Sequence, residues 1–464
     1  MLIRLTHVCA RWRKIIIDCP TFWTHIRFGG KQMLASLAEL FFERAKGCAL
    51  DVQVRSRLFR RGSSPMGQIV PTLPPGKWIR ILTLEHGWAG IQKIFGMWAD
   101  ALSSLQALEL STEEPSLSSR STIFVGDALK SLRLIGYAVP GLSYIRAPNL
   151  TAFMLSEDSQ TPCSATRLFD FLEAAPTLEE VLVYADSVTV GDFPPPERTV
   201  TLPHVRRILF DMKHAPRLAS YLNCPSLKDI QLVNMFPDDP TVGIFPPLLL
   251  WLMGRCSIET IDRVVMIVSD KEGHKNCSLE FRTPSGTAFQ IACATAYVPE
   301  PLPPDSDEDW TPSVLFDQTV SALLSLPLDR AIGFSIDLEY TPLDPAADSV
   351  EVVAKLAGVL EKCTNLHEVV LQNYLPVCFP VFSRDKTPPI QVLVIKHSKD
   401  VLWEDLAEHV TEVARIRHSR GTPLTKIEIF TKEKHPRIEQ LESWVQEVKY
   451  QVEPSQDNGS TALS

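Results

Sequence analysis

One short motif recurs eight times along this chain of 464 residues. Each copy begins with a break and continues with an apolar residue, two variable residues, a second apolar residue, one variable residue and a last apolar residue. The copies read SSLQALEL, DALKSLRL, APNLTAFML, APTLEEVLV, LPHVRRILF, CPSLKDIQL, CTNLHEVVL and PLTKIEIF. The alternation at the end of the motif predicts a short β-strand that buries one face.

The spacing of the copies constrains the fold further. The middle apolar residues of six consecutive copies lie 21 to 28 residues apart, close to the roughly 20–29 residues of a leucine-rich repeat. They are Leu108, Leu132, Phe153, Val181, Ile208 and Ile230. Between strands, apolar residues at helical spacing predict helices, for example at Leu168, Phe171 and Leu172 before Pro176.

The repetition of strand, helix and break predicts an α/β fold. We expect a leucine-rich-repeat-like βα solenoid over residues 31–450, with a curved parallel sheet inside and helices outside. Residues 299–312 are rich in proline and acidic side chains and predict a disordered loop. The polar residues 451–464 predict a disordered tail. Near the end, helical spacing of apolar residues from Ile438 to Val452 predicts a capping helix.

The sequence predicts a protein that stays inside the cell. Its 10 cysteines are scattered without a CxxC pair, which favours free thiols over disulfides. Basic residues from Arg4 to Lys14 interrupt the first apolar stretch, whereas the core of a secretory signal is uninterrupted and apolar. The apolar stretch from Ile244 to Met253 contains prolines and is shorter than the roughly 20 residues that span a bilayer. We therefore expect a soluble protein of the cytoplasm or nucleus, with no membrane partner.

Catalytic and metal-binding motifs are absent from the sequence. There is no HExxH, GxSxG, GxGxxG or P-loop pattern, so we expect no catalytic residues, no cofactor and no enzymatic activity. The group most similar to a metal site is Cys256, His274 and Cys277, which lacks a fourth ligand. No metal site is expected.

The charge of the chain is uneven. Residues 1–61 carry 12 basic and 4 acidic side chains, whereas the whole chain has a net charge of −9. The basic residues are spread among apolar ones and form no run of five or more. This pattern favours an acidic protein partner over a nucleic acid.

The first residues predict two short helical elements. Apolar residues share one helical face over residues 2–17, and Pro20 ends this helix because proline lacks an N–H and restricts the residue before it. The second element, a helix or turn, carries three apolar residues: Phe22, Trp23 and Ile26. We expect residues 1–30 to form a compact helical segment with a small aromatic core of Trp12 and Trp23.

The segment LTHVCARWRKIIIDCPTFWTHIRF resembles the second half of an F-box, as found in the large F-box protein families of mushroom-forming fungi. The matching residues are Val8, Cys9, Arg11, Trp12, Arg13, Pro20, Phe22, Trp23 and Ile26. LFFERAKGCALDVQV, KWIRILTL and RIEQLESWVQEV are similar to the family's helix and first strand, its next strand and its terminal helix. The resemblance therefore covers nearly the whole chain.

This resemblance implies a substrate-recognition subunit of an SCF-type cullin–RING ubiquitin ligase. Such a subunit binds the Skp-type adaptor through the F-box, here through Pro20, Phe22, Trp23 and Ile26, and holds a substrate protein on the repeats. The family's F-box opens with a Leu-Pro-x-Glu helix, and this sequence starts after that point. Either the gene is read from a late start or the F-box is truncated, and for the chain as given we expect weakened adaptor binding. The alternative is a non-catalytic leucine-rich-repeat scaffold whose degenerate F-box no longer binds the adaptor.

Strand alternation also predicts a substrate surface. The residue between the last two apolar positions of each copy points away from the core. These outward residues are Thr83, Glu109, Arg133, Met154, Leu182, Leu209 and Gln231. Met154, Leu182 and Leu209 lie on consecutive strands about 4.8 Å apart and predict one apolar patch for a substrate. The alternative is that these strands are covered on both faces, for example by residues 299–312.

Overall fold

The computed structural model divides into two compact units. Unit 1 comprises Met1–Lys213 and Tyr221–Leu227, and unit 2 comprises His214–Ser220 and Lys228–Ser464. The structure describes residues 9–28, 35–55, 73–112, 124–136, 142, 145–156, 164–185, 193–195, 197–212, 215–233, 254, 260–271, 274–286, 288–294, 319–321, 323–339, 349–372, 379–396, 403–431 and 436–452.

Unit 1 contains short helices and parallel strands. Its α-helices are α1 (Ala10–Asp18), α2 (Ala35–Arg44), α3 (Trp88–Met97) and α4 (Ala165–Glu173), and 3₁₀ helices cover Pro20–Trp23 and Ala99–Leu102. Its strands are β1 (His25–Phe28), β2 (Leu50–Arg55), β3 (Ile79–Glu85), β4 (Ala107–Thr112), β5 (Phe124–Val125), β6 (Ser131–Gly136), β7 (Ile145–Arg146), β8 (Ala152–Ser156), β9 (Glu180–Tyr184), β10 (Val200–Thr201), β11 (Arg207–Asp211) and β12 (Leu222–Asn223). The main sheet runs in the order β1-β2-β3-β4-β6-β8-β9-β11, and every pair is parallel. Two smaller parallel pairs are β5 with β7 and β10 with β12.

Unit 2 is also mixed α/β. Its α-helices are α5 (Ala215–Ser220), α6 (Ser349–Lys362), α7 (Phe379–Phe382) and α8 (Trp403–Ser419), and a 3₁₀ helix covers Pro436–Ser443. Its strands are β13 (Asp229–Val233), β14 (Arg263–Lys271), β15 (His274–Arg282), β16 (Ala288–Ala294), β17 (Gly333–Glu339), β18 (Glu368–Gln372), β19 (Val392–Lys396), β20 (Lys426–Thr431) and β21 (Glu447–Val452). The order is β13-β16-β15-β14-β17-β18-β19-β20-β21. The predicted α/β class with a mostly parallel sheet is confirmed in each unit.

An antiparallel insertion interrupts the predicted rhythm in unit 2. β14 pairs antiparallel with β15, and β15 pairs antiparallel with β16, while the outer strands of this group pair parallel with β13 and β17. The sequence reasoning did not anticipate this group, because its strands lack the break that opens the other copies. Residues 299–312, predicted as a loop, lie outside the described residues.

A tight turn opens seven of the eight copies of the motif and accounts for four of the chain's prolines. The N–H of the first apolar residue bonds to the carbonyl three residues earlier, as in Leu150 to Ala147 at 3.2 Å and Leu366 to Cys363 at 2.9 Å. Four copies place proline at the second turn position, where its fixed φ suits the turn. These prolines are Pro148, Pro176, Pro203 and Pro225. The breaks in the sequence are therefore recurring turns of one geometry.

At four turns the third residue links a repeat to the one before it. Its side chain donates to the backbone carbonyl of the second turn residue in the preceding copy. Four such bonds are Asn149 Nδ2 to Asp127 O (2.9 Å), Thr177 Oγ1 to Pro148 O (3.1 Å), Ser226 Oγ to Pro203 O (2.7 Å) and Asn365 Nδ2 to Asp329 O (2.7 Å). At these four turns a polar side chain supplies one donor to a neighbouring backbone carbonyl, whereas Ala128 occupies the same position in another copy.

The three apolar positions of the motif form the core. Leu150, Phe153 and Leu155 are all buried, and the ring of Phe153 packs on Phe171 of α4 with centroids 4.8 Å apart. The same burial holds at Leu366, Val369 and Leu371 in unit 2. The inward residues of each strand and the apolar face of the helix thus form one layer of buried side chains between the strand and the helix.

Both ends of the described chain differ from the predicted helices. His25–Phe28 is a strand in register with β2, so the N-terminal segment joins the sheet. At the other end, a 3₁₀ helix over Pro436–Ser443 and the strand β21 replace the predicted capping helix. The alternation in Glu447–Val452 pairs with β20 and continues two residues into the segment predicted as a disordered tail.

Candidate interaction surfaces

Trp23 anchors the N-terminal segment of unit 1. Its side chain is 1% exposed, and its indole Nε1 donates to the carbonyl of Ile16 in α1 at 2.6 Å. The ring meets Phe41 of α2 edge to face at 5.0 Å, and the Arg44 guanidinium lies 4.5 Å from its centroid. The indole therefore joins two helices through its apolar body and its single polar atom.

Three large apolar side chains of this segment are exposed to solvent. Trp12 is 51% exposed, Ile15 is 45% exposed and Phe22 is 42% exposed. Trp12 and Ile15 are three residues apart in α1 and share one helical face. Three exposed basic side chains accompany them: Arg11, Arg13 and Lys14. We call Trp12, Ile15 and Phe22 the N-terminal apolar surface.

The predicted aromatic core of Trp12 and Trp23 is wrong. Trp23 is buried as expected, and Pro20 separates α1 from the 3₁₀ helix, but Trp12 faces solvent. The partners of Trp23 are Phe41 and Arg44, which are too far along the chain for helical periodicity in residues 2–17 to indicate. In α1, apolar residues occupy several faces, and only the burial of Ile16 decides which one faces inward.

The four predicted adaptor-binding residues occupy different environments. Phe22 is exposed and Pro20 is half-buried at the start of the 3₁₀ helix. Trp23 and Ile26 are core residues with 1% exposure, so in this fold they have almost no surface to offer a partner. Ile26 is buried because it lies in β1, in register with Val52, and not in a second helix. Sequence reasoning missed Ile15 as a surface residue.

The outward residues of the unit 1 strands form one row. Register places Arg133, Met154, Leu182 and Leu209 side by side on β6, β8, β9 and β11. Met154 and Leu182 are half-buried, whereas Leu209 is only 8% exposed. The predicted exposed patch of three residues therefore loses Leu209, whose strand also buries Ile208 and Phe210 and is covered on both faces at this point.

Charged pairs border this row. Glu180 and Arg207 form an ion pair at 3.0 Å between β9 and β11, two residues before Leu182 and Leu209. On the other side, Arg133 lies 3.6 Å from Glu109. Gln231, the last predicted outward residue, is half-buried on β13 in unit 2. The remaining apolar part of the row is the neighbouring pair Met154 and Leu182.

A charged network lies at the start of β1, β2 and β3. The Asp51 carboxylate accepts two hydrogen bonds from Arg80, at 3.1 and 2.8 Å, and its Oδ2 lies 3.0 Å from His25 Nδ1. The hydrogen bond to Asp51 raises the pKa of Arg80 above its ordinary value. A β-bulge makes this possible, because the register shifts between Leu50 and Asp51 and leaves Arg80 unpaired in the ladder.

The part of the chain that the structure describes holds no group of three or more His, Cys, Asp or Glu residues arranged to bind a metal ion. The cysteines at two turns, Cys224 and Cys363, are buried as free thiols. Burial raises the pKa of the Cys363 thiol to about 12. The side chains of Cys256, His274 and Cys277 lie outside the described residues.

Among the described helices, none is both long and apolar enough to cross a membrane. Comparison of the sequence with protein-family models gives no match, and comparison with curated proteins gives none either.

Proposed function

We propose that this chain is a non-catalytic substrate-recognition subunit of an SCF-type ubiquitin ligase. In this proposal the N-terminal apolar surface docks a Skp-type adaptor, and the repeated strands hold a substrate protein in the cytoplasm or nucleus. The proposal rests first on the F-box resemblance of residues 5–28 and of the segments that follow.

A leucine-rich-repeat-like solenoid is the architecture that we propose for the repeats. Three features support it. Strands of unit 1 pair parallel in chain order, seven of the eight copies open with the same turn, and side chains such as Thr177 bond to the turn of the preceding copy. Stacked repeats that contact only their neighbours are expected to show this regularity. Solenoids commonly use their extended surfaces to bind proteins.

The exposure of Trp12, Ile15 and Phe22 is the observation that carries the adaptor proposal. Large apolar side chains that lie together on a surface commonly mark protein interfaces, and tryptophan is enriched among interface hot spots. The neighbouring Arg11, Arg13 and Lys14 fit a partner with acidic residues around an apolar centre. For the substrate, the half-buried pair Met154 and Leu182 is the apolar part of the outward row.

A direct binding experiment tests the adaptor proposal. Purified Skp-type adaptor is immobilised, and binding of the full chain is compared with that of a Trp12→Ala, Phe22→Ala double variant. We expect binding to weaken about tenfold or more, as for hot-spot truncation. The matched control is Trp78→Ala, because Trp78 is an equally exposed tryptophan outside the N-terminal apolar surface. Unchanged binding by the double variant would contradict this docking surface.

The alternative is an interaction scaffold whose N-terminal segment only closes the sheet. The burial of Trp23 and Ile26 favours this function, because both side chains serve the fold of unit 1. A folded chain that fails to bind the adaptor at micromolar concentration supports the scaffold and overturns the ligase proposal.

A further inference from the structure

An open cleft lies at the starts of β14, β17 and β18 in unit 2. Its volume is about 470 Å³. The residues that line it are Arg263, Arg330, Ile332, Asn365, His367 and Glu368. Five of them are exposed: Arg263, Arg330, Ile332, Asn365 and His367. None of the lining residues belongs to the N-terminal apolar surface or to the outward row of unit 1.

Gly333 lies beside this cleft, where its lack of a side chain makes room for Arg263. Register places it between Arg263 on β14 and Glu368 on β18. A Cβ at Gly333 would lie 3.4 Å from Arg263 Cγ and 3.8 Å from its Cδ and Nε. The stem of Arg263 therefore lies over the glycine, and its guanidinium reaches across β17 to within 3.6 Å of the Glu368 carboxylate.

The cleft is basic although the chain as a whole is acidic. Its lining holds two arginines and a histidine against one carboxylate, that of Glu368, which Arg263 already engages. Among the described residues, Arg330 has no hydrogen-bond or ion-pair partner for its guanidinium and is exposed. Beside it, Ile332 is 45% exposed. A ligand that fits these groups has a carboxylate for Arg330 and an aliphatic group for Ile332.

We infer that this cleft binds an acidic peptide segment of a partner protein, with one carboxylate on Arg330 and one aliphatic side chain on Ile332. A peptide fits better than a small molecule, because sites for small ligands enclose most of the ligand surface and the lining here is mostly exposed. A peptide adds contacts along its backbone and to the Asn365 and His367 side chains. The inference goes beyond the proposed ligase function and does not require the adaptor.

Peptide binding by the purified full chain tests the inference. The probe is a fluorescein-labelled peptide Gly-Asp-Glu-Ile-Asp-Glu-Gly, followed by fluorescence anisotropy at low salt. Its neutral twin has Asn and Gln in place of Asp and Glu, and a third peptide has Ser in place of Ile. We expect the acidic peptide to bind and each of the other two to bind at least about tenfold more weakly.

Two variants locate the binding. Arg330→Glu reverses the charge of the exposed arginine, and Ile332→Ser removes the exposed aliphatic group. Each is expected to weaken binding about tenfold with an unchanged circular dichroism spectrum and melting temperature. Arg384→Glu is the control for the change in charge, because Arg384 is an exposed arginine of unit 2 that does not line the cleft.

Three results would overturn the inference: no binding of the acidic peptide, equal binding of the neutral twin, or full-strength binding by folded Arg330→Glu. The adaptor experiment concerns residues of unit 1 only. A failure of peptide binding is therefore distinguishable from a failure of the ligase proposal.

Discussion

The indole Nε1 of Trp23 donates a 2.6 Å hydrogen bond to the carbonyl of Ile16. Ile16 is in the last turn of α1, where carbonyls lack intrahelical partners, and the indole supplies one donor. This bond connects the 3₁₀ helix to α1 across the Pro20 break. Trp23 is therefore both buried and hydrogen-bonded inside the fold, whereas Trp12 is exposed.

The contrast between the two tryptophans gives the first prediction. Trp23→Ala should lower the free energy of unfolding of unit 1 by about 3–5 kcal/mol, because it removes a large buried side chain and leaves the Ile16 carbonyl without its donor. Trp12→Ala should change it by less than about 0.5 kcal/mol, because that side chain is half exposed to solvent. Urea unfolding followed by circular dichroism measures both values. Equal effects of the two substitutions would contradict the assignment of Trp23 as the anchor.

Helix α3 offers a matched pair of glycines. A Cβ at Gly90 would lie 2.3 Å from His86 Nδ1 and 2.6 Å from its Cε1, whereas a Cβ at Gly96 meets nothing within 4 Å. Gly90→Ala should therefore destabilise unit 1 by about 1–3 kcal/mol through the displaced imidazole. Gly96→Ala should stabilise it by about 0.5–1 kcal/mol, since alanine is the better helix former.

Thermal unfolding of the two variants tests this prediction, and the opposite signs provide the internal control. Both substitutions add one methyl group to the same helix, so a general effect of added volume would move both melting temperatures in one direction. A rise in melting temperature for Gly90→Ala would show that His86 moves aside at no cost.

The bonds between successive turns give a third prediction. Thr177 Oγ1 lies 3.1 Å from the carbonyl of Pro148 and 2.9 Å from that of Leu150, so its one proton serves the preceding copy. Thr177→Val keeps the shape and removes the donor, and should cost about 1 kcal/mol of unfolding free energy. Thr177→Ser keeps the hydroxyl and should recover most of that loss. Denaturant unfolding of the wild type and the two variants measures these changes. Equal losses of unfolding free energy for Val and Ser would show that the hydroxyl contributes nothing.

The sequence was most informative where burial alone determines structure. Leu150, Phe153 and Leu155 are buried as their spacing predicts, because alternate residues of a strand that packs on a layer of helices face those helices. The positions of the turns could also be predicted from the sequence. Proline suits the second turn position because its φ is fixed, and a polar third residue such as Thr177 can bond to a backbone carbonyl.

The sequence was less informative where contacts with elements distant in the chain determine whether a residue is buried or exposed. Trp12 and Trp23 look equivalent in a window of 30 residues, and only contacts with Phe41 and Arg44 of α2 separate them. The cleft at the start of β17 depends on the pairing of β17 with β14, a strand of the antiparallel insertion that is far from β17 in sequence. Leu209 could not be distinguished from Leu182 because both are outward residues of the same motif.

Cys363 gives the last prediction, which concerns reactivity and pH. Its thiol is buried at the first position of a turn, and Sγ lies 3.4 Å from the Val359 carbonyl. Burial raises its pKa from an ordinary 9.0 to about 12, so in the folded chain at pH 8 the group is a protonated, unreactive thiol. Iodoacetamide at pH 8 should therefore alkylate exposed Cys9 and spare Cys363, with Cys363 labelled only in urea, as read by mass spectrometry of tryptic peptides. Because the unfolded chain ionises this thiol at lower pH than the folded chain, Cys363 should also reduce stability as pH rises above about 9. Alkylation of Cys363 at the rate of Cys9 in the folded protein would contradict the burial of this turn.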